Sequence, residues 1–147
     1  MTQYNCYTDA STLKHLNYPA SGIAAVIVNL DYDRLEKSVA QHLETEDNIV
    51  AELKAISLGI SVSASFLTTD DLLRVCSDCQ PALDLITEEG ESELPKMRRI
   101  LEKIDRTMGF FPCDIEFQWV KSHSNHPIND FADSLAYQHA QGQPYHD

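Results

Sequence analysis

The apolar residues of this chain change their spacing at Asp47, and this change constrains the fold more than any other feature. Before it, Gly22 to Asn29 (GIAAVIVN) is continuously apolar and rich in β-branched residues, which is typical of a buried strand. After it, apolar residues recur at intervals of four, three and four, the spacing of one helix face. They are Ile49, Leu53, Ile56 and Ile60. The first third of the chain is therefore predicted to form strands, and a helix is predicted to follow.

The same patterns predict nine elements in the order βββαβααβα. The other strands are expected at Tyr4–Thr8, Leu35–Leu43, Leu72–Ser77 and Ile115–Val120, with a loop from Ala10 to Ser21. Prolines are favoured in the first turn of a helix, so the later helices are expected to begin at Pro81, Pro95 and Pro127. This order predicts a three-layer α/β domain with a five-stranded mixed sheet and helices on both faces.

Length and composition favour one domain over residues 1–147, with a frayed tail at 141–147. The chain contains no run of eighteen apolar residues, so no membrane partner is expected. Its start has no basic region followed by an apolar stretch, which argues against a secretory signal. Four cysteines in a chain of 147 residues do not resemble a disulfide framework. We therefore expect a monomer in the reducing cytoplasm.

The formal net charge of −12 argues against a strong attraction to phosphate groups. However, five of the eleven Lys and Arg residues lie between positions 96 and 106. Four of them, spaced by three, four and three, share one face of the predicted third helix. They are Lys96, Arg99, Lys103 and Arg106. This face is either solvated and balanced by neighbouring acids, or a surface that follows a DNA strand.

Four acidic residues lie either at the end of a predicted strand or on a predicted helix. Asp9 and Asp78 end the first and fourth strands, while Glu52 and Asp133 lie on the first and last helices. If these two strands are neighbours, the two aspartates stand together at one sheet edge, where open α/β sheets bind ligands. Four converging carboxylates repel one another unless cations lie among them. Such a site suits Mg²⁺ or Mn²⁺, and two ions can stabilise both reacting oxygens of a phosphodiester.

Two other features contain residue types that occur in functional sites or in the core. Cys76 and Cys79 have the spacing of half a zinc site or of a redox pair. Alternation along the strand points Cys76 and Asp78 to one side, which leaves the two cysteines poorly placed to pair. The only other close-spaced pair of potential zinc ligands is His123 and His126. Trp119 is predicted to lie in the core.

The chain resembles type 1 ribonuclease H over essentially its whole length. The matching pieces are YTDAS around Asp9, NIVAEL around Glu52, SDCQ around Asp78, and VKSHSNHPINDFADSLA with His123 and Asp133. They occur in the family's order and at similar spacings. The resemblance implies the ribonuclease H-like fold and an endonuclease that cuts the RNA strand of RNA–DNA hybrids. It also implies two Mg²⁺ or Mn²⁺ ions per site and products with 5′-phosphate and 3′-hydroxyl ends.

The resemblance also implies residue roles. The metal ligands would be Asp9, Glu52, Asp78 and Asp133. His123 would assist product release or water activation. Asn48 would contact an RNA 2′-hydroxyl, the group that separates RNA from DNA, and Asn17 matches the family's first-loop Asn.

Several departures from the family pattern affect substrate binding rather than the metal ligands. Asp47 stands where the family often has Thr or Arg for a phosphate, and the basic protrusion with its tryptophans is absent. Ala10 and Ser122 replace glycines. We expect weak substrate binding with intact chemistry. Two rivals remain: an inactive nucleic-acid- or protein-binding module on the same fold, and a nuclease of this fold that cuts duplex RNA or branched DNA.

Overall fold

The computed structural model describes residues 2–13, 19–88, 95–122 and 126–142. Within these ranges it contains five strands and four helices in the order βββαβααβα, which confirms the predicted order. The strands are β1 (Gln3–Leu13), β2 (Ala20–Asn29), β3 (Arg34–Leu43), β4 (Leu72–Ser77) and β5 (Asp114–Trp119). The helices are α1 (Asn48–Ser63), α2 (Gln80–Thr87), α3 (Pro95–Gly109) and α4 (Pro127–Ala140).

The five strands form one mixed sheet in the order β3-β2-β1-β4-β5. The first three strands are antiparallel neighbours, whereas β4 pairs parallel with β1 and β5 pairs parallel with β4. The first and fourth strands are therefore neighbours, which is the condition under which Asp9 and Asp78 stand together. Because β1, β4 and β5 run in the same direction, their carboxyl ends meet at one edge of the sheet, called here the carboxyl edge.

Helices cover both faces of the sheet. On one face, Ala25 and Ile27 of β2 belong to a core shared with α1, α2 and α3. On the other face, Ala24 and Val26 pack with α4. A strand covered on both faces has no solvent-facing side, which explains why β2 is buried throughout and apolar except for Ser21 and Asn29. None of the helices in the described ranges is both long and apolar enough to cross a bilayer.

The close approach of α4 to β2 requires a glycine in the strand. A Cβ atom on Gly22 would overlap the carbonyl oxygen of Ala136 and crowd the backbone nitrogen of Ala140. Glycine has no Cβ, so the helix backbone can lie directly on the strand. This contact sets the height of α4 above the sheet, and α4 carries Asp133.

β1 is longer than predicted. It was expected to end at Asp9, but it continues to Leu13, and the expected loop at 10–21 is shorter. Antiparallel pairing with β2 runs from Tyr4↔Asn29 to Leu13↔Ala20, so Asp9 lies inside the strand. The extra strand length comes from this partner strand, a non-local contact that a local pattern does not contain.

Candidate metal centre

Three carboxylates converge at the carboxyl edge. Asp78 follows β4 directly, and the register Tyr7↔Cys76 places Asp9 beside it. Glu52, on the second turn of α1, reaches the same point from one face of the sheet and is only 3% exposed. Oxygen atoms of Asp9, Glu52 and Asp78 lie within 4.8 Å of one another.

The fourth predicted acid approaches from the opposite face. Asp133 lies on α4 and is half-buried. After burial and the charge of Asp78, its carboxyl group also contributes to the raised pKa of Asp9, so the two side chains lie near each other. The structure therefore brings together all four acids that the sequence singled out, and residues 52 and 133 enclose the site from the two faces of the sheet.

The cluster strongly favours protonated carboxyl groups when no cation is bound. Burial, followed by the charge of Asp78, raises the pKa of Asp9 to about 8. Burial, followed by the charge of Asp9, raises the pKa of Glu52 to about 9. The backbone N–H of Ala10 donates to Asp9 Oδ1 at 2.9 Å and lowers both values only in part. Both shifts have the direction expected for buried carboxyl groups of like charge.

These residues fit hard divalent cations. Buried carboxyl oxygens normally have hydrogen-bond partners, but Glu52 Oε2 has none in the part of the chain that the structure describes. This oxygen belongs to the convergent cluster, where a cation would both satisfy it and offset the repulsion. The three clustered side chains offer only oxygen ligands, the type that Mg²⁺ and Mn²⁺ prefer.

The start of α1 places Asn48 near the acids and explains the role of Asp47. The Asp47 carboxylate accepts a hydrogen bond from the Val50 N–H at 3.1 Å and caps the helix. Asn48 is the exposed first residue of the helix, one turn before Glu52. Its side chain is thus available to a ligand at the carboxyl edge, whereas the Asp47 carboxylate is engaged with the backbone.

The start of α4 is fixed by a histidine. His126 caps the helix because its Nδ1 accepts from the Asn129 N–H at 3.4 Å. Its Nε2 lies 3.4 Å from the Tyr7 hydroxyl, to which Asn5 Nδ2 also donates at 3.2 Å. Neither Asn5 nor Tyr7 was singled out in the sequence. The predicted residues Asn17 and His123 lie outside the described residues.

The four basic residues on one face of α3 are all exposed. They are Lys96, Arg99, Lys103 and Arg106. The opposite side of the helix contributes Met97, Ile100 and Ile104 to the core that α1 shares. Exposure is compatible both with a solvated face and with a surface for a nucleic-acid strand, so both interpretations remain.

The prediction that Trp119 lies in the core is wrong. Its side chain is 50% exposed, and its Nε1–H donates to the carbonyl oxygen of Asp78 at 3.1 Å. β5 is the edge strand of the sheet, so its last residue has a neighbouring strand on one side only. The alternation of apolar residues predicted on which side of the sheet Trp119 lies. It did not predict that the side chain is left exposed at the end of an edge strand.

The cysteines do not form the zinc or redox pair that their spacing allowed. Cys76 packs on the side of the sheet covered by α4, whereas Cys79 belongs to the core on the other side. Both are buried free thiols, and burial raises the pKa of each to about 11. Thiols that are seldom ionised are poor nucleophiles and poor metal ligands.

This sheet order, with acids converging at the carboxyl edge, defines the ribonuclease H-like class of proteins. A model of the RNase H family matches residues 1–141, and the chain belongs to this family. A search of curated protein sequences finds no match.

Solved structures show the same fold at low sequence identity. The N-terminal RNase H domain of a Mycobacterium tuberculosis protein is 18% identical, with a TM-score of 0.81, over 97% of this chain and 96% of that one. RNase H1 of Halobacterium salinarum is 18% identical, with a TM-score of 0.80, over 96% and 99%. LC11-RNase H1, isolated from compost by a metagenomic approach, was solved in complex with an RNA/DNA hybrid. It is 17% identical, with a TM-score of 0.81, over 95% and 97%.

Proposed function

We propose that this protein is a metal-dependent endoribonuclease that hydrolyses the RNA strand of RNA–DNA hybrids. The observation that carries the proposal is the convergence of Asp9, Glu52 and Asp78 within 4.8 Å, with Glu52 Oε2 lacking a partner among the described residues. Membership of the RNase H family and the hybrid bound to LC11-RNase H1 support this substrate.

The four acids hold two divalent ions in this proposal, and Asp133 completes the set from α4. Bound Mg²⁺ or Mn²⁺ supplies charge stabilisation of the phosphodiester oxygens and a lowered pKa for an attacking water. The chain's own contribution is positioning. The Ala10 N–H orients the Asp9 carboxylate, and burial holds Glu52 at the bottom of the site, away from bulk water.

Substrate recognition rests on other residues. Asn48 contacts an RNA 2′-hydroxyl from the exposed start of α1, and Asn17 assists from the first loop. His123 promotes product release or water activation. The basic face of α3 follows the DNA strand, and the net charge of −12 keeps the affinity low. We further propose that the protein acts as a cytoplasmic monomer.

The proposal is tested with labelled RNA–DNA hybrid, duplex RNA, duplex DNA and a branched DNA, each with and without Mg²⁺ or Mn²⁺. We expect cleavage of the hybrid alone, only with metal, and products with 5′-phosphate and 3′-hydroxyl ends. Asp9→Asn should abolish cleavage, whereas the matched variant Asp70→Asn should retain it. Asp70 is exposed and precedes β4, at the opposite edge of the sheet.

Each rival has its own outcome in this assay. An inactive module would bind nucleic acid or protein without cutting any substrate under any metal condition. A nuclease with another substrate would cut duplex RNA or branched DNA in preference to the hybrid. Equal cleavage by the parent and by Asp9→Asn would show that the acidic cluster is not the catalytic site.

A further inference from the structure

We propose that Trp119 is a substrate contact on which a base or sugar of the bound hybrid packs, next to the metal centre. This inference rests on the proposed function and extends it to a residue outside the acidic cluster. It assigns a role to an exposed aromatic side chain that the folding of the domain leaves uncovered.

The position of Trp119 follows from the strand register. Ser77, the last residue of β4, pairs with Trp119, the last residue of β5. The next backbone hydrogen bond runs from the Val120 N–H to the Ser77 carbonyl oxygen at 2.9 Å. Asp78 follows Ser77 directly, so the indole stands beside one of the clustered carboxylates at the carboxyl edge.

The orientation of the indole is fixed while its surface remains open. Its only polar group, Nε1–H, donates to the Asp78 carbonyl oxygen at 3.1 Å, yet half of the side chain is exposed. An aromatic ring that is held at one end loses little conformational freedom when a ligand packs on it. The satisfied N–H leaves apolar surface for contact, which suits a base or a sugar better than a phosphate.

The charge of the chain favours this kind of contact. With a net charge of −12, the protein gains little from general attraction to a nucleic-acid backbone. Packing of bases on aromatic side chains needs no positive charge and tolerates any sequence, because every base has a π-face. A tryptophan beside the metal centre therefore supplies affinity where electrostatics supplies little.

The sequence contains one tryptophan and six tyrosines, so fluorescence excited at wavelengths that tyrosine does not absorb reports on Trp119 alone. We would titrate hybrid into the full-length protein without divalent metal and follow both tryptophan emission and the anisotropy of a labelled hybrid. We expect the emission to change and its quenching by acrylamide to fall, with the same midpoint as the anisotropy. An unchanged emission while anisotropy shows bound hybrid would overturn the inference.

Steady-state kinetics distinguish two roles of Trp119: direct contact with the substrate, and positioning of Asp78. Trp119→Ala should raise KM about tenfold, the size expected for one lost stacking contact, with little change in kcat. Trp119→Phe keeps a ring and loses the N–H, so it should retain most of the parental KM. A fall in kcat for both variants with unchanged KM would instead show that Trp119 only positions Asp78, and would reject the contact.

Phe110 provides the matched control. It is 90% exposed and lies before β5, at the sheet edge opposite the metal centre. Phe110→Ala should leave KM and the fluorescence titration unchanged. If the parent neither binds nor cuts hybrid, the proposed function fails together with this inference. If the parent protein cuts hybrid, but Trp119→Ala has the parental KM and tryptophan emission does not change when hybrid binds, only this inference fails.

Discussion

The ring of Tyr7 packs on the imidazole of His126, with centroids 5.0 Å apart and planes inclined at 32°. This contact connects β1, two residues before Asp9, with the residue that caps α4, the helix that carries Asp133. His126 Nδ1 can accept the Asn129 N–H only when it carries no proton, so we assign the neutral tautomer with the proton on Nε2. A contact between residues 119 positions apart therefore joins the strand that carries Asp9 to the start of the helix that carries Asp133.

The helix cap formed by His126 should be measurable as stability. His126→Ala removes the acceptor for the Asn129 N–H as well as the contact with Tyr7, and should lower the free energy of unfolding by at least about 1 kcal/mol, the usual value of an N-cap. His126→Asn supplies a side-chain oxygen and should recover the part of this loss that comes from the cap. Urea unfolding followed by circular dichroism measures both variants. Equal stability of the parent and His126→Ala would contradict the assigned cap.

The tyrosine hydroxyl gives an independent test of the same connection. Tyr7→Phe keeps the ring contact with His126 but leaves Asn5 Nδ2 without its acceptor. Loss of one partner of a buried hydrogen bond should cost about 1 to 2 kcal/mol. Tyr137→Phe, at an exposed position on α4, is the control and should unfold like the parent. If the two variants unfold alike, the Tyr7 hydroxyl makes no stabilising contact.

Glu52→Gln should separate catalysis from stability. The change removes a metal ligand and should reduce cleavage by at least about a hundredfold, since a few kcal/mol of charge stabilisation are lost. Without metal, the same variant should be at least as stable as the parent at pH 8. Burial and the charges of Asp9 and Asp78 force Glu52 to take up a proton on folding, and a neutral amide avoids this cost.

Kinetics and urea unfolding in EDTA provide the two measurements for this variant. Glu44→Gln, an exposed carboxylate just after β3, is the control and should match the parent in both. A Glu52→Gln protein that loses stability in EDTA would show that the ionised carboxylate has favourable contacts instead.

The metal-free protein should lose stability as the pH rises from 5 to 8. In the unfolded chain Asp9 and Glu52 release their protons near 3.8 and 4.5, whereas burial and mutual repulsion raise their folded pKa values to about 8 and about 9. Between the unfolded-state and the folded-state pKa values, the folded protein binds more protons than the unfolded chain. The free energy of unfolding is therefore greatest at low pH and falls as the pH rises.

Added Mg²⁺ should oppose this loss of stability at high pH. Cations bind the ionised carboxylates of the folded state, so the stabilisation should grow with metal concentration and should be larger at pH 8 than at pH 5. Urea unfolding at both pH values, with Mg²⁺ or with EDTA, gives the four free energies of unfolding to be compared. Stability in EDTA that is equal at the two pH values, together with no effect of Mg²⁺, would argue against a cation site.

Local patterns predicted the fold because element type and order depend on spacing along the chain. The helix periodicity after Asp47 and the proline at position 127 identified the elements that carry Glu52 and Asp133. The length of β1 and the exposure of Trp119 were not predictable in this way, since both depend on which strands are neighbours and which strand forms the edge. The contact of Tyr7 with a residue far along the chain left no local signal.

The carboxylate of Asp47 caps α1 and lies directly before Asn48, the proposed substrate contact. Its negative charge should therefore weaken the binding of a phosphate-containing substrate. Asp47→Asn keeps a capping oxygen and removes the negative charge, so stability should change little. KM for hybrid should fall about twofold, the effect of one charge roughly 10 Å from a phosphate in water, and the gain should shrink as salt is raised. Asp70→Asn makes the same change of charge at the opposite edge and should leave KM nearly unaltered. An equal fall in KM for both variants would assign the effect to net charge rather than to the position of Asp47.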